Sequence, residues 1–163
     1  MSFKPGADFP NLTEVFGAIL ARVTPEQQPL LIAIAERLAA LRYRAWANDE
    51  SMRAERQQLL ACAAREDEIA RRVEEIHRDA ADIQRRILEA NPDIGDINRG
   101  IFAGRPMKDQ LAIQAQGERL GAATWHRFAE QESDTSRRDV FLSCAELEEA
   151  SAVVLDRIVG TKK

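Results

Sequence analysis

Apolar residues recur three and four positions apart through most of this chain, the spacing that puts them on one face of an α-helix. Leu12, Val15, Phe16, Ile19 and Leu20 form one such stripe. Asn11 and Glu14 precede and open it with capping-box spacing, so a short helix is predicted over 12–22. Thr24-Pro25-Glu26-Gln27 is a second helix start: a capping threonine, proline at the first position and glutamine at the third. The helix it opens is predicted to run to about residue 48, and a similar one from about 106 to 131. Matched Glu-Ser pairs, Glu50-Ser51 and Glu132-Ser133, end both. Tight turns follow, and the next helices are expected to begin near Met52 or Arg53 and near Ser136. The earlier of these two continues to about Glu89, and the later ends near Val159, before Gly160. Pro92, Gly95, Gly100, Gly104 and Pro106 interrupt the pattern between the two halves, with room for a short helical turn over 94–102.

The two halves repeat each other. At an offset of 82, residues 28–76 match 110–158 without a gap. About 16 of roughly 49 aligned positions are identical, against about 4 expected by chance. AERLAALRYRAWANDES falls on GERLGAATWHRFAEQES, and ACAAREDEIA on SCAELEEASA. Glu36 pairs with Glu118, and Glu66 with Glu148. Each half is an antiparallel helical hairpin. Two hairpins over about 25–90 and 107–160, joined by a crossover over 91–106, can bury their apolar stripes together as an all-α four-helix bundle in a single domain.

Composition narrows the setting. A chain of 163 residues with 45% hydrophobic and 31% charged content, 8 glycines and 6 prolines suits a mostly helical domain with a real core. A net charge of -4 argues against nucleic acid as a partner, because binding phosphates needs a positive surplus. The start, MSFKPGADFPNLTEVF, lacks the basic-then-apolar order of a secretion signal, and no apolar run reaches transmembrane length. A cytoplasmic protein without a membrane partner is the expectation. The alternating charges of AREDEIARRVEEIHRD read as solvated helix surface, part of which is available to a second subunit in a homodimer.

The candidate chemistry lies in four glutamates. The face of Glu36 continues through Ala40, Tyr43 and Ala47, and that of Glu118 through Ala122, Trp125 and Ala129. Leu59, Cys62, Glu66, Ile69, Val73 and His77 share a face, as do Cys144, Glu148, Ser151, Leu155 and Val159. One carboxylate per helix is therefore predicted to point inward near the middle of the bundle. Buried carboxylates lose hydration and repel one another, so each needs a cation, a donor or a proton. Two readings stay open: an oxygen-rich metal site, or core acids satisfied by the Tyr43 hydroxyl, the Trp125 indole and shared protons.

This pattern resembles the ferritin-like superfamily, and its rubrerythrin-type members most closely. The resemblance implies two helical hairpins with a crossover around a carboxylate di-iron centre. In that family one Glu comes from each first helix and a Glu-x-x-His from each second helix. Glu36 and Glu118 match the first kind of ligand, and Glu66 and Glu148 the glutamates of the second kind. Tyr43, seven residues after Glu36, matches an aromatic common in the family. At the histidine positions this chain has Ile69 and Ser151. Carboxylates and water without nitrogen suit Mg, Ca or Mn better than iron. The resemblance thus implies a remodelled or lost centre, with iron or manganese as the possible divalent metal. The alternative is a non-catalytic interaction or dimerisation module descended from di-iron proteins.

Other residues fit structural roles better. His77 follows Glu74 by three, mimicking the family motif out of register, and reads as a bundle-end or surface residue. His126 lies beside the inner column and reads as a solvated or interface residue. Cys62 and Cys144 are repeat mates one turn before Glu66 and Glu148, and read as buried, unbridged thiols.

Overall fold

The computed structural model describes residues 9–161. Among them are seven α-helices and no strand. The first, α1 (Leu12–Leu20), starts where the Asn11 side chain accepts a hydrogen bond from the Glu14 amide at 3.1 Å. The start at Thr24 also forms as expected in part: its amide donates to the Gln27 side chain at 3.2 Å. Pro25–Gln27 make one 3-10 turn, and α2 (Gln28–Asn48) follows. Pro25 and Pro29 both fall in first turns, where a missing N–H breaks no helical bond.

The turn after α2 is longer than its sequence suggests. Asp49 accepts from the Ser51 amide at 2.9 Å and opens a 3-10 segment over Glu50–Glu55, in which Met52 is fully buried. α3 (Arg56–Glu75) therefore begins at Arg56, not at Met52 or Arg53. Arg56 donates to the Ala47 carbonyl at 2.9 Å and ties the two helices at this end. In the second half α6 (Met107–Gln131) and α7 (Thr135–Thr161) need only Glu132, Ser133 and Asp134 between them. Asp134 accepts from the Arg137 amide at 2.8 Å, a side-chain cap for α7.

One expected helix is broken. α3 does not continue to Glu89; it stops at Glu75, and α4 (Ala80–Ala90) starts anew. Asp79 between them has φ 59°, a left-handed backbone that aspartate tolerates better than most residues. The freed carbonyls have partners that local sequence does not reveal. The His77 ring takes the Val73 carbonyl at 2.7 Å, and Arg137 of α7 donates to the Ile76 carbonyl at 2.8 Å. α4 folds back on α2, with Gln84 donating to the Leu30 carbonyl at 3.2 Å and Ile87 buried. The connection between the halves therefore begins at Ile76 and includes α4 and α5 (Ile94–Phe102), the latter where a helical turn was expected.

α2 packs on α3, α6 on α7, and α3 on α7. The buried side chains fall into two apolar clusters. One joins the start of α2, the end of α3, the end of α6 and the start of α7, with Leu30, Ile34, Ile69, Val73, Trp125 and Phe141. The other joins the opposite ends, with Tyr43, Trp46, Leu59, Leu111 and Leu155. α6 thus runs parallel to α3 and antiparallel to α2. Glu36, Glu66, Glu118 and Glu148 belong to neither cluster and form the layer between them.

Candidate metal centre

Each glutamate sits on the inner face of its helix because the residues one turn to either side are apolar or small, Gln114 before Glu118 excepted. Relative exposures are 7% for Glu36, 0% for Glu66, 1% for Glu118 and 2% for Glu148. Oxygen atoms of Glu36, Glu66 and Glu148 lie within 4.8 Å of one another. Glu118 lies outside that group of oxygens but near enough for its charge to raise the carboxyls of Glu66 and Glu148. Three of the four predicted residues therefore share one donor group, and Glu118 stands beside it.

Their partners are few. The Tyr43 hydroxyl and the Gln114 amide both donate to Glu118 Oε1, at 2.5 and 2.8 Å. The Trp125 indole donates to Glu148 Oε1 at 3.0 Å. Both oxygens of Glu66, and Oε2 of Glu118, are buried without any hydrogen-bond partner. An ionised carboxylate with no partner costs several kcal/mol in a protein interior. Burial first, and then the neighbouring carboxylates, push the Glu66 and Glu148 carboxyls well above the ordinary range. Glu36 is raised too, chiefly by burial. Burial also raises the Tyr43 hydroxyl, so it remains a donor near neutrality.

A cation beside this layer was not foreseen. Arg42 extends from α2, its guanidinium 3.9 Å from the Phe102 ring centroid. It donates to Gln114 Oε1 at 2.7 and 3.1 Å and to Asn98 Oδ1 at 2.7 Å. Burial draws its pKa down to about 10, so it stays charged at neutral pH. Arg42, Gln114 and Glu118 form one hydrogen-bonded row across α2 and α6. Gly121 is the other unforeseen participant: a β-carbon there would overlap the Glu148 carboxylate. Signals for both exist where the halves differ. Thr124 occupies the position equivalent to Arg42, and Ala39 that equivalent to Gly121.

The two positions that would carry histidine are otherwise employed. Ile69 is fully buried in the first apolar cluster. Ser151 accepts from Arg65 Nε at 2.9 Å, and Arg65 Nη2 reaches Cys62 Sγ at 3.3 Å. His77 is occupied at the end of α3, where Arg137 Nη2 lies 3.1 Å from its Nε2. His126 is exposed, 3.5 Å from Glu149. Neither histidine belongs to the carboxylate layer. Cys62 and Cys144 are free and buried; burial raises both thiols, that of Cys144 up to about 12. No helix among the described residues is long and apolar enough to cross a membrane.

No family model, curated protein or solved structure matches this chain. Its function has to be argued from the site, since a helical fold hosts many activities.

Proposed function

We propose that the chain is a ferritin-like four-helix bundle of rubrerythrin type whose four glutamates hold a hard divalent metal in an all-oxygen centre. Glu66 carries this reading. A carboxylate with 0% exposure and no N–H or hydroxyl donor to either oxygen, with oxygens of Glu36 and Glu148 within 4.8 Å, has the donor set of a metal site. The donors fit such an ion: oxygen atoms of Glu36, Glu66 and Glu148 converge from three helices with Glu118 beside them, and Tyr43, Gln114 and Trp125 orient Glu118 and Glu148 as outer-shell partners. Two divalent ions would balance four carboxylates, the arrangement found in paired-metal sites. Without nitrogen ligands the centre favours manganese over iron. Such an ion supplies Lewis acidity and, in these two cases, one-electron redox capacity. The chain's own residues set its ligands, hold Glu118 and Glu148 by hydrogen bonds, and flank the centre with two apolar clusters.

Metal analysis of protein purified without chelators tests the proposal. The expected result is about one to two Mn(II) per chain, lost when Glu66 and Glu148 are both changed to glutamine. Wild-type protein that stays metal-free after dialysis against Mn(II) and Fe(II) would discard the metal reading and leave the interaction module.

A further inference from the structure

Two glycines one turn apart in the middle of α6 are costly for a helix, about 1 kcal/mol each relative to alanine. Gly121 makes room for Glu148. Gly117 makes room for nothing in the chain: a β-carbon there would find no atom within 4 Å. Across the gap, α2 presents Ala35 and Ala39. These small residues hold open a cavity of ≈ 120 Å³ between α2 and α6. Phe16 and Ile19 of α1 and Ile94 and Phe102 of α5 form its outer walls. Glu36, Glu118 and Glu148 lie at its inner end, and Arg42, Asn98 and Gln114 border it.

We infer that this cavity is a binding site for a small, uncharged, apolar molecule, delivered against the carboxylate layer. Size sets the scale: the pocket opens on one side, and apolar protein cavities of about 150 Å³ take up benzene or xenon. Charge sets the class. An anion would meet Glu36, Glu118 and Glu148, and a cation would sit beside Arg42 and leave its hydration behind among aliphatic walls. The lining offers dispersion contacts over most of its area. Gly117 is the residue whose smallness serves the ligand alone, because neither the helix nor the glutamates need it. This inference goes beyond the metal reading and does not depend on it.

Xenon and benzene are the probes. Crystals of the wild-type protein held under xenon should show xenon between α1, α2 and α6, beside Gly117. In solution, benzene should raise the melting temperature of the wild type in a saturable way. Gly117→Leu fills the space and should abolish both the xenon peak and the benzene effect. Gly117→Ala, which favours the helix and leaves more room, should lower xenon occupancy while raising the melting temperature. Xenon found elsewhere or nowhere in the wild type overturns the inference, as does benzene stabilisation undiminished in Gly117→Leu. Metal content is read separately, so failure here leaves the centre standing, and a metal-free protein can still bind xenon.

Discussion

Replacing Glu66 with glutamine should make the protein more stable in chelator and less stable in metal. Glu66 is fully buried, with no donor to either oxygen. Its carboxyl titrates above its ordinary 4.5, so in the metal-free protein its stabilising contribution is complete below about pH 4.5 and is lost as pH rises through the folded value. Each unit of elevation corresponds to about 1.4 kcal/mol at a pH above both values. Glutamine keeps the shape and removes the titration. At pH 7 in chelator the variant should therefore gain roughly 1–3 kcal/mol, the range seen when buried charge is replaced by a neutral side chain. For a domain of this size that is a melting shift of about 2–12 °C. With Mn(II) at a hundred times its Kd, the wild type should gain about 2.7 kcal/mol. The variant, with a weakened ligand set, should gain far less, so the order of stability reverses. Metal affinity should also rise with pH, because ligation needs deprotonated carboxylates. Calorimetric melting of both proteins between pH 5 and 8, with EDTA or Mn(II), reads every arm. A variant less stable than the wild type in EDTA at pH 7 would refute the electrostatic reasoning. Parallel gains in Mn(II) would refute the role of Glu66 as a ligand.

Gly121→Ala should destabilise by about 1–3 kcal/mol despite the better helix former, because the new methyl displaces the Glu148 carboxylate from Trp125; chemical denaturation measures it. Arg137→Ala should loosen α4 and cost about 1–2 kcal/mol, read as faster amide exchange over 76–90 with little change in α6. Burial holds His77 below its usual pKa of 6.5, so its contribution to stability is present above that pH and falls away as the solution becomes more acidic. Protection factors at α4, with the intrinsic pH dependence of amide exchange divided out, should accordingly fall from pH 7 to pH 5, opposite in sign to the effect of Glu66. Cys62 and Cys144, buried with raised thiol pKa values, should resist a thiol reagent in the folded protein and react fully once denatured. Fast labelling under native conditions would contradict their burial.

The glutamates were legible because a charge inside an apolar helical stripe has no cheap explanation. Tyr43 and Trp125 were legible as donors because they share those stripes. Arg42 was not, since its partners Gln114 and Asn98 lie on distant helices and its place in the layer depends on how they pack. The second-helix break was hidden for a related reason. Residues 73–90 contain neither glycine nor proline, and periodicity runs through them unbroken. The helix ends there because Arg137, some sixty residues further on, supplies its terminal partner. α5 and the start of α2 carried their own signals in proline, glycine and capping residues. The fold thus followed local chemistry where that chemistry was self-contained, and departed from it where a distant arginine intervened.

The placement of Arg137 and Arg42 has a consequence for how the molecule comes apart. Arg137 of the later hairpin closes the far end of α3, while Arg42 of the earlier one grips Gln114 of α6. The two halves are fastened to each other near both ends of the glutamate layer. Separating them exposes a helix terminus at one end and strips a cation of its acceptors at the other. Neither hairpin is then a self-sufficient folding unit, although each looks like one in sequence. Loss of structure should be a single cooperative event, with unfolding rate governed by parting the halves and not by fraying either hairpin.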